Sequence, residues 1–80
     1  MNDLQQTIRD AIYFVAPDVD PTTIAGDVDF REAAGLDSMD LLNVLTEVAR
    51  TTGVEVPEAD YASVATIDDL AAYLAAHHVA

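Results

Sequence analysis

The chain has 80 residues, of which 15 are acidic and three are basic, all of them arginine, so its formal net charge is −12 at pH 7. Such a charge repels phosphate backbones and anionic lipids, which excludes nucleic acid as a partner and favours proteins with basic docking patches. Cysteine is absent, which excludes disulfide bonds and thiolate metal sites. With 51% hydrophobic residues, the composition supports the core of one small domain over residues 1–80.

The start of the chain lacks the basic residues and the apolar run of a secretory signal, and no apolar stretch is long enough for a membrane span. We therefore expect a cytoplasmic protein. The apolar content is also higher than that of a disordered acidic tail, so we expect a folded monomer.

Apolar residues at helical spacing predict a first helix over about residues 3–15. They are Leu4, Ile8, Ala11, Ile12 and Val15. Pro17 and Pro21 end this helix and begin a connection to about residue 36, which is long for a compact domain. We expect apolar anchors to fold this connection back onto the core, namely Val19, Ile24, Val28 and Phe30.

The second long helix is predicted to follow Asp37, which would cap its N-terminus, and to end at Gly53. Asp40, in the first turn, would meet the positive end of the helix dipole. The apolar residues of this helix form a stripe wider than one buried face requires: Met39, Leu41, Leu42, Val44, Leu45, Val48 and Ala49. The surplus predicts that some of them remain available to another protein.

After an extended link over residues 54–57, a short helical turn is predicted around residues 60–63. The last helix should begin after Thr66, with Asp69 completing a capping box, and should end near His77. No segment alternates polar and apolar residues as a strand does. The predicted fold class is therefore all-α, a small antiparallel bundle of three main helices plus one short helix.

The segment Asp37-Ser38-Met39 places a serine at the start of an apolar helix, and it resembles the Asp-Ser-Leu modification motif of the acyl carrier protein family. The approach to the motif matches that family at Phe30, Gly35 and Leu36. Downstream, residues 53–57 with Asp60, and residues 66–70, resemble the link between helices and the final helix of the family. The resemblance extends over essentially the whole chain and implies an acyl-carrier-protein-like fold.

The resemblance implies that Ser38 is esterified to 4′-phosphopantetheine, which a separate Mg²⁺-dependent phosphopantetheinyl transferase takes from coenzyme A. Acyl groups would then be carried as thioesters, and the protein itself would not be an enzyme. A serine at a helix N-terminus suits this role because its phosphodiester would lie beside free backbone amides and the positive end of the dipole. Asp37 and Asp40 are interpreted as caps and as contacts for the basic surface of the transferase.

The resemblance also implies that the second long helix is a docking surface. The candidate docking residues are Asp37, Met39, Asp40, Asn43, Glu47 and Arg50. Apolar side chains beside this helix would shelter an acyl chain or would form ordinary core, and these are Leu45, Val48, Val56, Tyr61, Val64 and Ile67.

Carriers of bacterial fatty acid synthesis typically have a row of glutamates along the docking helix, whereas the matching positions here are Asn43, Ala49 and Arg50. Because docking depends on charge matching, this difference predicts a specialised carrier for a fatty-acid, polyketide or related lipid or secondary-metabolite pathway. Its partners would be acyl- or aminoacyl-activating ligases, synthases or transferases with basic docking patches.

Three alternatives follow from the same residues. An aminoacyl carrier, of the D-alanyl or peptidyl type, is suggested by Met39 in place of leucine. An unmodified acidic adaptor would use the surplus apolar stripe to hold another protein. A serine hydrolase would need His77 or His78 as a base for Ser38.

Overall fold

The computed structural model describes residues 3–77, and within that range the chain forms four α-helices and two 3₁₀ segments. The α-helices are α1 (Asp3–Val15), α2 (Phe30–Ala34), α3 (Ser38–Thr52) and α4 (Ile67–His77), and the 3₁₀ segments are Pro21–Thr23 and Glu58–Val64. The only β pairing among these residues is a single antiparallel bridge between Asp29 and Thr66. The all-α prediction is therefore confirmed, with α1, α3 and α4 as the main helices.

Helix α2 is the element that the sequence prediction lacked, because that prediction assigned its residues to a long connection. The carboxylate of Asp29 caps it by accepting the Arg31 backbone N–H at 2.9 Å. Gly35 ends it in the left-handed conformation at φ 67°, which favours glycine. The prediction that Val28 anchors this region was wrong, since its side chain is 41% exposed while Phe30, two residues later, is fully buried.

The core lies where α1 packs against α3 and α4. Its largest fully buried side chains are Ile8, Ile12, Phe30, Val44, Val48, Val64, Ile67, Leu70 and Leu74. No polar or charged side chain of the described residues is buried with them. Burial of apolar area is therefore the main stabilising term of this small domain. None of the described helices is both long and apolar enough to cross a bilayer.

The connection between α1 and α2 is held at both sides by hydrogen bonds to its backbone. From α1, Arg9 donates through Nε to the Pro21 carbonyl at 3.2 Å and through Nη2 to the Ile24 carbonyl at 2.9 Å. From the start of α4, Asp68 donates its backbone N–H to the Gly26 carbonyl at 2.9 Å. The side chain of Ile24 is buried, as predicted. These contacts fix the segment that leads into α2.

The predicted ends of α3 and α4 are confirmed. Gly53 ends α3 at φ 78°, and its N–H donates to the Ala49 carbonyl. At the start of α4, the Asp69 N–H donates to Thr66 Oγ1 at 3.0 Å. The short helical turn predicted around residues 60–63 is the centre of the Glu58–Val64 segment.

Candidate functional site around Ser38

Ser38 is the first residue of α3, and its position is fixed by a reciprocal capping box. Asp37 Oδ1 accepts the Asp40 N–H at 2.8 Å, and Asp40 Oδ2 accepts the Asp37 N–H at 3.4 Å. The predicted cap at Asp37 is thus confirmed. Ser38 is exposed, and its hydroxyl has no hydrogen-bond partner among the described residues. It is therefore free to react or to be modified.

Two open clefts meet at Ser38. The α2 cleft, of about 580 Å³, is lined by Asp29, Arg31, Glu32, Gly35, Leu36, Asp37, Ser38 and Leu41. The Tyr61 cleft, of about 430 Å³, lies between α3 and the Glu58–Val64 segment and is lined by Arg31, Ser38, Met39, Leu41, Leu42, Glu58 and Tyr61. Ser38 stands at the junction of the two, so a group attached to its hydroxyl has room on either side.

Of the residues that the structure describes, Arg31 is the one basic side chain that lines either cleft, and it forms an ion pair with Asp29. Its Nε donates to Asp29 Oδ1 at 3.2 Å and its Nη2 donates to Asp29 Oδ2 at 3.0 Å. These hydrogen bonds favour the charged forms of both groups, so the pKa of Asp29 is lowered and the pKa of Arg31 is raised. The guanidinium is therefore held by Asp29 at a defined place in the clefts that Ser38 also lines.

The candidate docking residues on α3 and at its N-cap do not form one continuous row. The side chains of Asp37, Met39, Asn43 and Arg50 are exposed, and that of Asp40 is half-buried. Glu47 accepts hydrogen bonds from Nε and Nη2 of Arg50, and its side chain is only 18% exposed. It also lines a depression shared with α1. Glu47 is thus paired with Arg50 and lies beside α1.

Leu42 is a functional candidate that the sequence prediction included only in the apolar stripe of the second helix. Its side chain is 44% exposed, and it lines the Tyr61 cleft beside Met39, which is 63% exposed. The apolar stripe of this helix is wider than one buried face requires, which indicated that some of its residues would be exposed. Periodicity alone did not show which members of the stripe would face solvent.

The six candidate acyl-pocket residues separate into two groups. Val48, Val64 and Ile67 are fully buried in the core. The other three, Leu45, Val56 and Tyr61, line a depression of about 220 Å³ between α3 and the segment that follows it. Leu42 and Tyr61 line both this depression and the Tyr61 cleft, so the two depressions are adjacent.

Among the described residues, no histidine lines either cleft, so the base that the hydrolase hypothesis assigns to a histidine is not beside Ser38. The groups that could accept a proton there are carboxylates. His77 instead lies at the end of α4, where its ring stacks on Tyr73 with centroids 4.0 Å apart and its Nδ1 lies 2.9 Å from the Tyr73 carbonyl oxygen. His78 lies outside the described residues. The hydrolase hypothesis therefore gains no support from the geometry.

Comparison with known proteins identifies the family. A family model described as "Phosphopantetheine attachment site" matches residues 2–74. The chain belongs to this family. Its relatives include an acyl carrier protein of Onion yellows phytoplasma, 34% identical over 56 residues that cover 70% of this chain and 74% of the relative. An acyl carrier protein of Rubrobacter xylanophilus is 27% identical over 62 residues, covering 78% and 76% of the two chains. No solved structure gives a significant match.

As an acyl carrier protein, the chain is a carrier and not an enzyme, and it carries covalently attached 4′-phosphopantetheine. The Ser38 surface fits such a group. It offers an exposed hydroxyl without a partner, open clefts on both sides and an arginine suited to a phosphate. The resemblance predicted from the sequence is thus confirmed at the level of the family.

Proposed function

We propose that Ser38 is the residue to which 4′-phosphopantetheine is attached. The chain contains two serines, Ser38 and Ser63. Both are exposed, but only Ser38 lies at the start of a long helix and at the junction of the two clefts. The position of the Ser38 hydroxyl at this junction is the observation that carries the proposal.

Attachment requires a bond from Ser38 Oγ to the pantetheine phosphorus of coenzyme A. The phosphoanhydride bond of coenzyme A breaks, adenosine 3′,5′-bisphosphate leaves, and the serine proton passes to a base. Within residues 3–77 no histidine lines the clefts, and we assign the base to the transferase. Once bound, the group supplies a terminal thiol that holds acyl groups as thioesters.

The docking face that we propose combines apolar and charged side chains near Ser38. Met39 and Leu42 are its exposed apolar members, and Asp37 and Asp40 supply negative charge for basic partners. Glu47 is the one glutamate of α3 and is paired with Arg50, so the face lacks a row of free glutamates. This arrangement supports a specialised carrier in a fatty-acid, polyketide or related pathway, which we expect to operate in the cytoplasm.

The apolar members of the docking face can be tested on the transferase itself. We expect Met39→Ala to lower kcat/KM for attachment by about fivefold to tenfold, as for loss of an apolar contact worth about 1 kcal/mol or more. Phe14→Ala is the matched control, because Phe14 is also a large exposed side chain, at 70%, but lies on α1. Equal rates for the two variants would remove Met39 from the face.

Intact-mass measurement tests the proposal as a whole. After incubation with coenzyme A, Mg²⁺ and a broad-specificity phosphopantetheinyl transferase, the protein should gain the mass of one phosphopantetheine. Peptide mapping should place that gain on the peptide that contains Ser38. A gain on any other peptide, or no gain under conditions that modify another carrier protein, would contradict the proposal.

A further inference from the structure

Arg31 is a basic residue in clefts that are lined, apart from Ser38, by acidic and apolar side chains, and attachment of an arm to Ser38 does not by itself require a basic residue there. It lines both clefts, as Ser38 does. The other charged residues that line them are all acidic: Asp29, Glu32, Asp37 and Glu58. A phosphodiester on Ser38 would therefore be placed among carboxylates, with one cation within the same clefts.

The guanidinium of Arg31 is held in place and still has hydrogen-bonding capacity. A guanidinium carries five N–H donors, and the Asp29 carboxylate accepts from Nε and Nη2. Asp29 also accepts the backbone N–H of Arg31, so the same carboxylate fixes the residue at two points. The Nη1 donors remain for a second acceptor. The side chain is 37% exposed, which leaves it accessible from solvent.

We infer that Arg31 binds the phosphodiester of the arm attached to Ser38 and thereby positions the first atoms of the arm at the junction of the two clefts. This inference rests on the proposed attachment at Ser38. Arginine is suited to the role because its planar donors match phosphate oxygens, and charge-assisted hydrogen bonds of this kind are stronger than neutral ones. Since Asp29 orients the guanidinium beforehand, less side-chain freedom is lost when the phosphate binds.

The three arginines of the chain provide an internal comparison for a test by NMR. The Nε–Hε signals of Arg9, Arg31 and Arg50 are recorded on the protein before and after attachment of the arm, with complete attachment verified by intact mass. We expect the Arg31 signal to shift and those of Arg9 and Arg50 to stay in place. Arg9 is bonded to loop carbonyls and Arg50 to Glu47, so neither should sense the arm.

The inference would be overturned if, on protein that has gained the full mass, the Nε–Hε signal of Arg31 moved no more than those of Arg9 and Arg50. That result would leave the proposed function intact. Failure to gain mass would overturn the proposed function and this inference with it. The two failures are thus distinguishable in one sample.

Variants separate binding of the phosphate from a purely structural role in α2. In protein that carries the arm, Arg31→Gln should change the ³¹P chemical shift of the phosphodiester relative to the unaltered protein. Arg31→Lys should give a smaller change, because lysine keeps the positive charge, and Arg50→Gln should give none. In addition, the change in melting temperature on attachment should be smaller in Arg31→Gln than in the unaltered protein. If Arg31→Gln shifts the melting temperature equally with and without the arm, and leaves the ³¹P signal unchanged, the residue is structural only.

Discussion

Replacement of Ser38 by alanine should abolish attachment of 4′-phosphopantetheine, while replacement of Ser63 should leave it unchanged. In the described part of the chain no other hydroxyl lines both clefts, and alanine removes the oxygen that must bond to phosphorus. Intact mass after exhaustive incubation with the transferase is the measurement. Ser63→Ala is a matched control because Ser63 is the other serine and is also exposed.

The Ser38→Ala variant should remain folded, which makes a negative result interpretable. The Ser38 hydroxyl has no hydrogen-bond partner among residues 3–77, and α3 is capped by Asp37. We expect its free energy of unfolding to stay within about 0.5 kcal/mol of the unaltered value. A variant that still gains mass would place the arm elsewhere. A cellular function that survives the change would favour the unmodified adaptor.

Replacement of Phe30 by alanine should have the largest effect on stability. Phe30 is fully buried at the first position of α2, and its loss removes a large apolar side chain and leaves a cavity. Such changes cost about 3–5 kcal/mol. At about 0.05–0.15 kcal/mol per residue, a domain of 80 residues has a total stability of about 4–12 kcal/mol, so this loss would remove a substantial part of it. Urea unfolding followed by circular dichroism provides the measurement.

Phe14→Ala provides the comparison for this prediction, since Phe14 is 70% exposed and belongs to α1. It should change the free energy of unfolding by no more than about 0.5 kcal/mol. If Phe30→Ala costs less than about 1 kcal/mol, the burial of this side chain does not contribute to stability as the structure implies. Because Phe30 precedes Arg31, its loss should also disturb the α2 cleft.

The long helices were predictable because each contains enough residues for a repeat of three and four to be visible. Helix α2 has only five residues, too few for such a repeat. Its stability depends instead on contacts with a distant segment, including the Phe30 N–H donated to the Ala65 carbonyl at 3.1 Å. The same lack of periodicity explains the error at Val28, because nothing local distinguishes it from Phe30 as the inward side chain.

At the candidate site, the sequence indicated Ser38 and its cap at Asp37 because both depend on neighbours in the chain. The place of Arg31 in the α2 cleft depends on how α2 and α3 are joined through Gly35, which brings residues of two helices to one cleft. The ion pair between Glu47 and Arg50 links side chains only three positions apart. Which side of α3 these side chains occupy can be known only from how α3 packs in the fold. Contacts between residues of different helices were thus the part of the site that could not be predicted from the sequence.

The hydrogen bond between Phe30 and Ala65 also couples two regions of the protein mechanically. Ala65 directly follows the Glu58–Val64 segment, which forms one wall of the Tyr61 cleft, and Phe30 directly precedes Arg31. A group that pushes this wall outward is therefore expected to displace the start of α2, and Arg31 with it. The shape of one cleft would then depend on what occupies the other, through a main-chain hydrogen bond.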